Sequence, residues 1–229
     1  SDVLAAMCEM YIVQGLFEDA LAAFQRGFEL SPRDASMISA IAWVLDSLRR
    51  YPEALAASDQ ALNLAPDAFW PYFYKAITLW GWRGDASQTR PVFEALASSA
   101  GGWERWSWYW QEVYEGRYRE ALGRLESTTD GWIRIKMFAR PNVLLAAYVY
   151  EWLGEVDEAV AAYASARGLL EAAVLASPED PRLHSSLGIV YAKQGRPEEA
   201  VREGKLACDL LPQSKDGFYY IPYAIDLAH

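Results

Sequence analysis

One six-residue phrase recurs five times along the chain, and it constrains the fold more than any other feature. It reads GLFEDA at 15–20, RRYPEA at 49–54, GRYREA at 116–121, GEVDEA at 154–159 and GRPEEA at 195–200. Each copy opens on a turn residue, Gly in four and Arg49 in the other. Each then carries an aromatic, Val or Pro among charged residues and closes on Ala. A phrase repeated in this way belongs to an array of similar units, each burying its apolar face on the next. An array offers extended surface, not a buried catalytic pocket.

The spacing gives the unit. Ala20 and Ala54 are 34 residues apart, as are Pro32 and Pro66. Ala54 to Ala121 is 67, close to two units, so a degenerate copy is expected between them; the next two gaps are 38 and 41. In the first unit, Leu4, Met7, Cys8 and Tyr11 recur at helical spacing over Asp2 to Gln14, the first helix of a hairpin. Gly15 can take the left-handed conformation that ends a helix. A second helix is expected from Phe17 to Leu30, with Ala20 at the close crossing, Phe24 beside it and Pro32 as the stop. The second unit repeats this from Ala35 to Pro66, with Ile38, Ile41, Ala42 and Leu45 on its first helix. Pro52 and Pro197 stand at helix starts, where a missing N–H costs nothing. Such short helices depend on their neighbours for stability.

A helix–turn–helix period of 34 resembles the tetratricopeptide repeat, over nearly the whole chain. Leu187, Gly188, Tyr191, Gly195, Ala200, Ala207 and Pro212 follow that family's pattern closely. The resemblance implies an all-α fold, a right-handed superhelix of about six helical hairpins with the third and fourth irregular. The units run roughly 1–34, 35–68, 69–100, 102–138, 140–180 and 181–214, with a further helix beginning in 221–229. The third has Ala76 and Leu79 on its first helix and a turn at 82–85. Its second helix, about 86–98, lacks the usual Ala, and Gly101-Gly102 then breaks the chain. In the fourth, WERWSWYWQEVYE fits the expected stripe poorly. The fifth has an extended second helix reaching Ala176. Neither end shows a polar capping helix, which suits a fragment of a longer protein.

The charge balance narrows the partners. A net charge of −10 without any basic run disfavours nucleic acid and anionic membranes. No apolar run approaches the ~20 residues a bilayer span needs, Val143 to Tyr150 being the longest candidate, and no signal peptide is visible. Cys8 and Cys208, near opposite ends, read as small buried hydrophobes, and the compartment as reducing and cytoplasmic. Catalytic motifs are missing: no phosphate loop, no dinucleotide fingerprint and no metal-ligand spacing. His184 reads as structural, and His229 is terminal. The pairs Glu18-Asp19, Asp157-Glu158 and Glu198-Glu199 sit at helix starts, where they complement the dipole. Neither enzymatic activity, nor a cofactor, nor a metal is expected.

The aromatic residues stand out. Ten Trp and fourteen Tyr concentrate in the third to fifth units. In the family the first helix of each hairpin lines the inner face, at roughly the second, fifth, ninth, twelfth and thirteenth places. Carried over, this assigns partner binding to Trp43, Trp70, Phe73, Trp80, Trp106, Trp110, Tyr148 and Trp152, with Asp46, Ile77 and Tyr114 also on that face. Trp and Tyr are favoured binding anchors. The function implied is protein–protein interaction: a scaffold holding a peptide or partner domain, apolar or basic in character. Alternatives are a regulatory sensor for a small apolar ligand and a self-associating structural array. A competing assignment makes Trp103, Trp106, Trp110 and Val113 a core face, with Arg105 and Glu112 outside. The cationic clamp by which chaperone-binding members hold a terminal carboxylate is missing: its places carry Ala5, Glu9, Ala40, Trp70 and Tyr74. The 31–67 segment and LWGWRGD are further similar to repeats in bacterial multidomain signalling proteins.

Overall fold

The computed structural model describes residues 10–95, 101–126 and 131–228. The chain divides into two compact units, Ser1–Ser99 and Ala100–His229. In the first, helix α1 (Phe17–Leu30) follows the end of a helix at residues 10–13. Then come α2 (Ala35–Ser47), α3 (Tyr51–Leu64), α4 (Phe69–Arg83), a 3₁₀ turn (Ala86–Gln88) and the short α5 (Arg90–Glu94). The second unit holds α6 (Gly102–Tyr114), α7 (Tyr118–Glu126), strands β1 (Trp132–Arg134) and β2 (Ala139–Pro141), α8 (Asn142–Leu153), α9 (Val156–Ala176), α10 (Pro181–Lys193), α11 (Pro197–Leu210) and α12 (Tyr220–Ala228). Both units are stacks of antiparallel helical hairpins, the all-α solenoid architecture expected. The expectations for Leu4, Met7, Cys8 and His229 lie outside the described residues.

The recurring phrase is the hairpin turn. Its first residue is left-handed in every copy: φ is 75° at Gly15, 58° at Arg49, 71° at Gly116, 74° at Gly154 and 68° at Gly195. Each turn closes with two bonds onto the preceding helix. At the last copy the Gly195 amide donates to Ala192 O (3.0 Å) and the Arg196 amide to Tyr191 O (2.9 Å); the other four repeat the pattern. These bonds satisfy carbonyls that a helix end would otherwise leave bare. The closing Ala then lies at the helix crossing, with Ala20, Ala54 and Ala121 fully buried and Ala159 nearly so. Two glycines allow closer approach still. A Cβ on Gly188 would come within 3.1 Å of Ala200 O, and one on Gly204 within 2.8 Å of Leu227.

Between hairpins, aspartates restart the helices. Asp34 caps α2 by accepting from the amides of Ser36 and Met37, and Asp180 caps α10 by accepting from Arg182. His184 is buried between Glu203 Oε2 (2.7 Å) and Pro178 O (2.8 Å), a structural position.

Three features depart from the sequence reading. The helix expected at about 86–98 is the 3₁₀ turn followed by the five residues of α5; 96–98 lie outside the described residues. Pro91 and the Asp85 cap explain the broken start, because Asp85 accepts from Ser87 N before any α-helical turn forms. The fourth unit ends in an unforeseen antiparallel hairpin, with Trp132 opposite Pro141, Ile133 opposite Arg140 and Arg134 opposite Ala139. Ile133, Ile135 and Phe138 pack from it onto Tyr109, Leu122, Leu145 and Val149. Finally, α9 is 21 residues long with mean hydropathy 1.3 over its best 18-residue window. By length and composition alone it is a candidate span, contrary to the reading that no run approaches that length. In the fold its Ala159, Ala162, Tyr163, Ala166 and Leu170 pack against residues of α8 and α10.

Candidate functional site

In the first unit, helices α2 and α4 bring rings together in a ladder. Trp43 stacks on Tyr74 at 6.3 Å and 18°, and Tyr74 on Trp70 at 5.7 Å and 21°. Trp43 and Tyr74 are half-buried, while Trp70 is 42 % exposed. Phe73 lies beneath, buried, edge-on to Trp70 at 5.9 Å and stacked on Phe69. Trp80 stands apart: its Nε1 donates to Thr89 Oγ1 (2.8 Å), and its ring meets Phe93 at 5.5 Å, which ties α4 to α5. One turn along from the ladder, Asp46 on α2 faces Thr78 on α4, and Asp46 Oδ1 is buried with no hydrogen-bond partner among the described residues. Burial raises the Asp46 carboxyl above the usual range, against a smaller downward pull from the Thr78 hydroxyl.

The second unit holds another cluster. Trp110 meets Trp106 edge-on (5.2 Å), stacks on Tyr114 (5.3 Å) and reaches Trp152 (6.2 Å). Trp152 also touches Tyr118 (5.9 Å) and Tyr148 (6.3 Å). Tyr114 and Trp152, at 55 % and 43 % exposed, form its open rim. Trp110 Nε1 is buried without a hydrogen-bond partner among the described residues. Beneath, Tyr109 is fully buried and donates to Leu145 O (3.0 Å), and burial raises its phenol. Burial likewise raises Tyr148. Trp106 sits 4.4 Å from Phe138 of the β-hairpin, so its ring is part of the packing between α6 and the hairpin.

The eight sequence-derived residues therefore fall into distinct settings. Trp43, Trp70 and Phe73 converge in the first unit; Trp106, Trp110, Tyr148 and Trp152 converge in the second; Trp80 is tied into local packing. Trp103, Trp106, Trp110 and Val113 do pack on the core cluster, as the competing assignment holds. Glu112 is not outside: it is 2 % exposed and accepts from Arg124 Nη2 at 3.0 Å. The assignment lacked several ring partners, Tyr74 and Tyr118 among them. Tyr74 is four residues from Trp70 on one helix, a spacing that puts both on one face. Tyr118 opens α7 inside the repeated phrase itself.

Other chemistry is sparse. Among the described residues no three His, Cys, Asp or Glu side chains cluster in a way that would hold a metal. Cys208 is half-buried, and burial raises its thiol. A groove of about 430 Å³ in the second unit is lined mainly by Leu122, Leu125, Val143, Ala146, Tyr150 and Leu169.

The sequence matches the tetratricopeptide repeat family over residues 11–69 and 144–215, more than half of the chain. No curated protein matches it. Solved structures similar in fold include a tetratricopeptide repeat protein from Parabacteroides merdae, 15 % identical, TM-score 0.62, covering 97 % of this chain and 84 % of that one. IFIT1, in a monomeric mutant, is 18 % identical with TM-score 0.57, covering 93 % of this chain and 54 % of its own. A chain of the Cut9–Hcn1 hetero-tetramer structure is 14 % identical with TM-score 0.55, covering 98 % of this chain and 42 % of its own.

Proposed function

Taking as premise that the chain belongs to the tetratricopeptide repeat family, we propose that it is a non-catalytic recognition module holding a peptide or partner protein on the aromatic faces of its first-in-hairpin helices. The observation that carries this reading is the pair of ring clusters, each with large aromatic surface left open: Trp70 in one, Tyr114 and Trp152 in the other. Aromatic rings held by neighbouring rings lose little freedom on binding and cover much area, which suits them as anchors. The family's general role as a protein-binding scaffold agrees. The partner is apolar or basic in character, since the chain itself is acidic. The same reading places the module in the cytoplasm, as part of a regulatory assembly.

A 12-residue peptide library displayed on phage tests this. Selected peptides are expected to lose at least about tenfold in affinity to Trp70→Ala or Trp152→Ala, the loss usual for a binding anchor, with unchanged helicity by circular dichroism. A selection without enrichment, or peptides indifferent to both substitutions, overturns the proposal. A second reading, a small apolar ligand, draws on the 430 Å³ groove, which falls in the range of ligand pockets. Val143→Trp would fill that groove and separates the two readings, because peptide binding on the ring clusters should survive it.

A further inference from the structure

Resting on the peptide-recognition reading, we propose that the ladder of Trp43, Tyr74 and Trp70 is the seat of an arginine side chain from the partner, with Asp46 as its counter-charge. The argument starts from where Asp46 lies. It is one turn beyond Trp43 on α2, beside Thr78, which is one turn beyond Tyr74 on α4. Acid and rings thus occupy consecutive rungs between the same two helices. The inner carboxylate oxygen is buried with no hydrogen-bond partner among the described residues, and the pull of the nearby Thr78 hydroxyl on the carboxyl is smaller than the effect of burial.

Several of the chain's other acids have the cation that Asp46 lacks. Glu53 pairs with Arg50, Asp59 with Lys75, Glu112 with Arg124 and Asp180 with Arg182. No Lys or Arg among the described residues forms an ion pair with Asp46. Burying an unpaired carboxylate is unfavourable. A cation brought by a partner would supply the missing charge and offset that cost.

The rings choose among cations. A guanidinium is planar and weakly hydrated, and it stacks on aromatic faces while hydrogen-bonding at its edge; an ammonium is a compact, strongly hydrated point charge. The ladder offers near-parallel rings next to a single acceptor. The chain uses the same pairing internally, with Arg134 over Trp132 at 4.2 Å and Arg196 over Tyr191 at 4.4 Å.

The test is an immobilised positional-scanning hexapeptide library. Arg is expected to dominate one position within an apolar context. Asp46→Asn should lower affinity for the best Arg peptide about tenfold, the size expected for one partly desolvated charge pair, while leaving its norleucine analogue unchanged. Asp59→Asn, which removes an acid already paired with Lys75, should leave the Arg preference intact. Asp46→Asn should also melt no lower than the parent at neutral pH. Its neutral amide avoids the burial that raises the carboxyl, so a loss of binding cannot be put down to unfolding. Peptides that bind with no cationic position, that take Lys as well as Arg, or that keep their Arg preference in Asp46→Asn overturn this assignment and leave peptide recognition standing. A library with no bound peptide removes both.

Discussion

Arg49 shows how much one residue's backbone can disclose. It is the only non-glycine described residue with positive φ, at the place where four other turns carry Gly. Its amide and that of Arg50 make the same closing bonds, to Asp46 O and Leu45 O, so the turn is kept at the expense of strain. A left-handed L-residue costs roughly 1–2 kcal/mol, partly offset in a glycine variant by the freer unfolded chain. Arg49→Gly should therefore stabilise the first unit by about 0.5–1 kcal/mol, while Gly154→Ala should cost the second about 1 kcal/mol; urea midpoints measure both. At this scale the turn residues were legible, because only a left-handed position explains Gly four times in one place. The ring pairings were not. Whether Trp106 meets solvent or Phe138 depends on a hairpin that no residue of the helix itself announces.

Elements differ in how openly their sequences declare them. The second helix of the fifth hairpin was readable to its end, since apolar periodicity runs unbroken from Ala159 to Ala176 and Ser177-Pro178 stops it. The β-hairpin was not, although Trp132 to Lys136 alternate between inward and outward positions, with Ile133 and Ile135 buried. The alternation is short, and the segment that joins the strands, Ile135 to Phe138, carries neither Gly nor Asn to mark a turn. Its place depends on α6, which starts hard against it: a Cβ on Gly102 would lie 2.6 Å from Arg134 O, a backbone atom that cannot swing aside. Gly102→Ala should destabilise the second unit by about 1–3 kcal/mol, the usual result of overpacking. It should also shift the fluorescence of the Trp106 indole packed on Phe138. Gly123→Ala, on α7 with nothing within 4 Å, should be neutral or stabilising by up to ~1 kcal/mol. Equal thermal shifts in the two variants would mean that the close approach is not what fixes Gly102.

For the whole molecule, the repeated phrase fixes a chain of hairpins, and the break read at Gly101-Gly102 adjoins the boundary between the two compact units. Each unit contains its own ring cluster, which sequence position alone hinted at through the crowding of Trp and Tyr. What position could not disclose is which rings stay open, because that depends on the partner faces of α5 and the β-hairpin. The net charge of −10 acts on both units at once. A field of that sign draws in a cationic peptide from beyond contact distance, and added salt shortens its reach, to about 10 Å at 0.1 M. Steering of this kind governs the encounter, whereas the stacked and partly desolvated contact governs escape. An arginine-bearing peptide selected against the chain should therefore associate about tenfold more slowly at 300 mM than at 20 mM salt, with its dissociation rate changed by less than about twofold. Stopped-flow tryptophan fluorescence measures both rates. A salt dependence confined to dissociation would mean that the charge acts only in the bound state, so that the acidic surface keeps the chain in solution without guiding its partner.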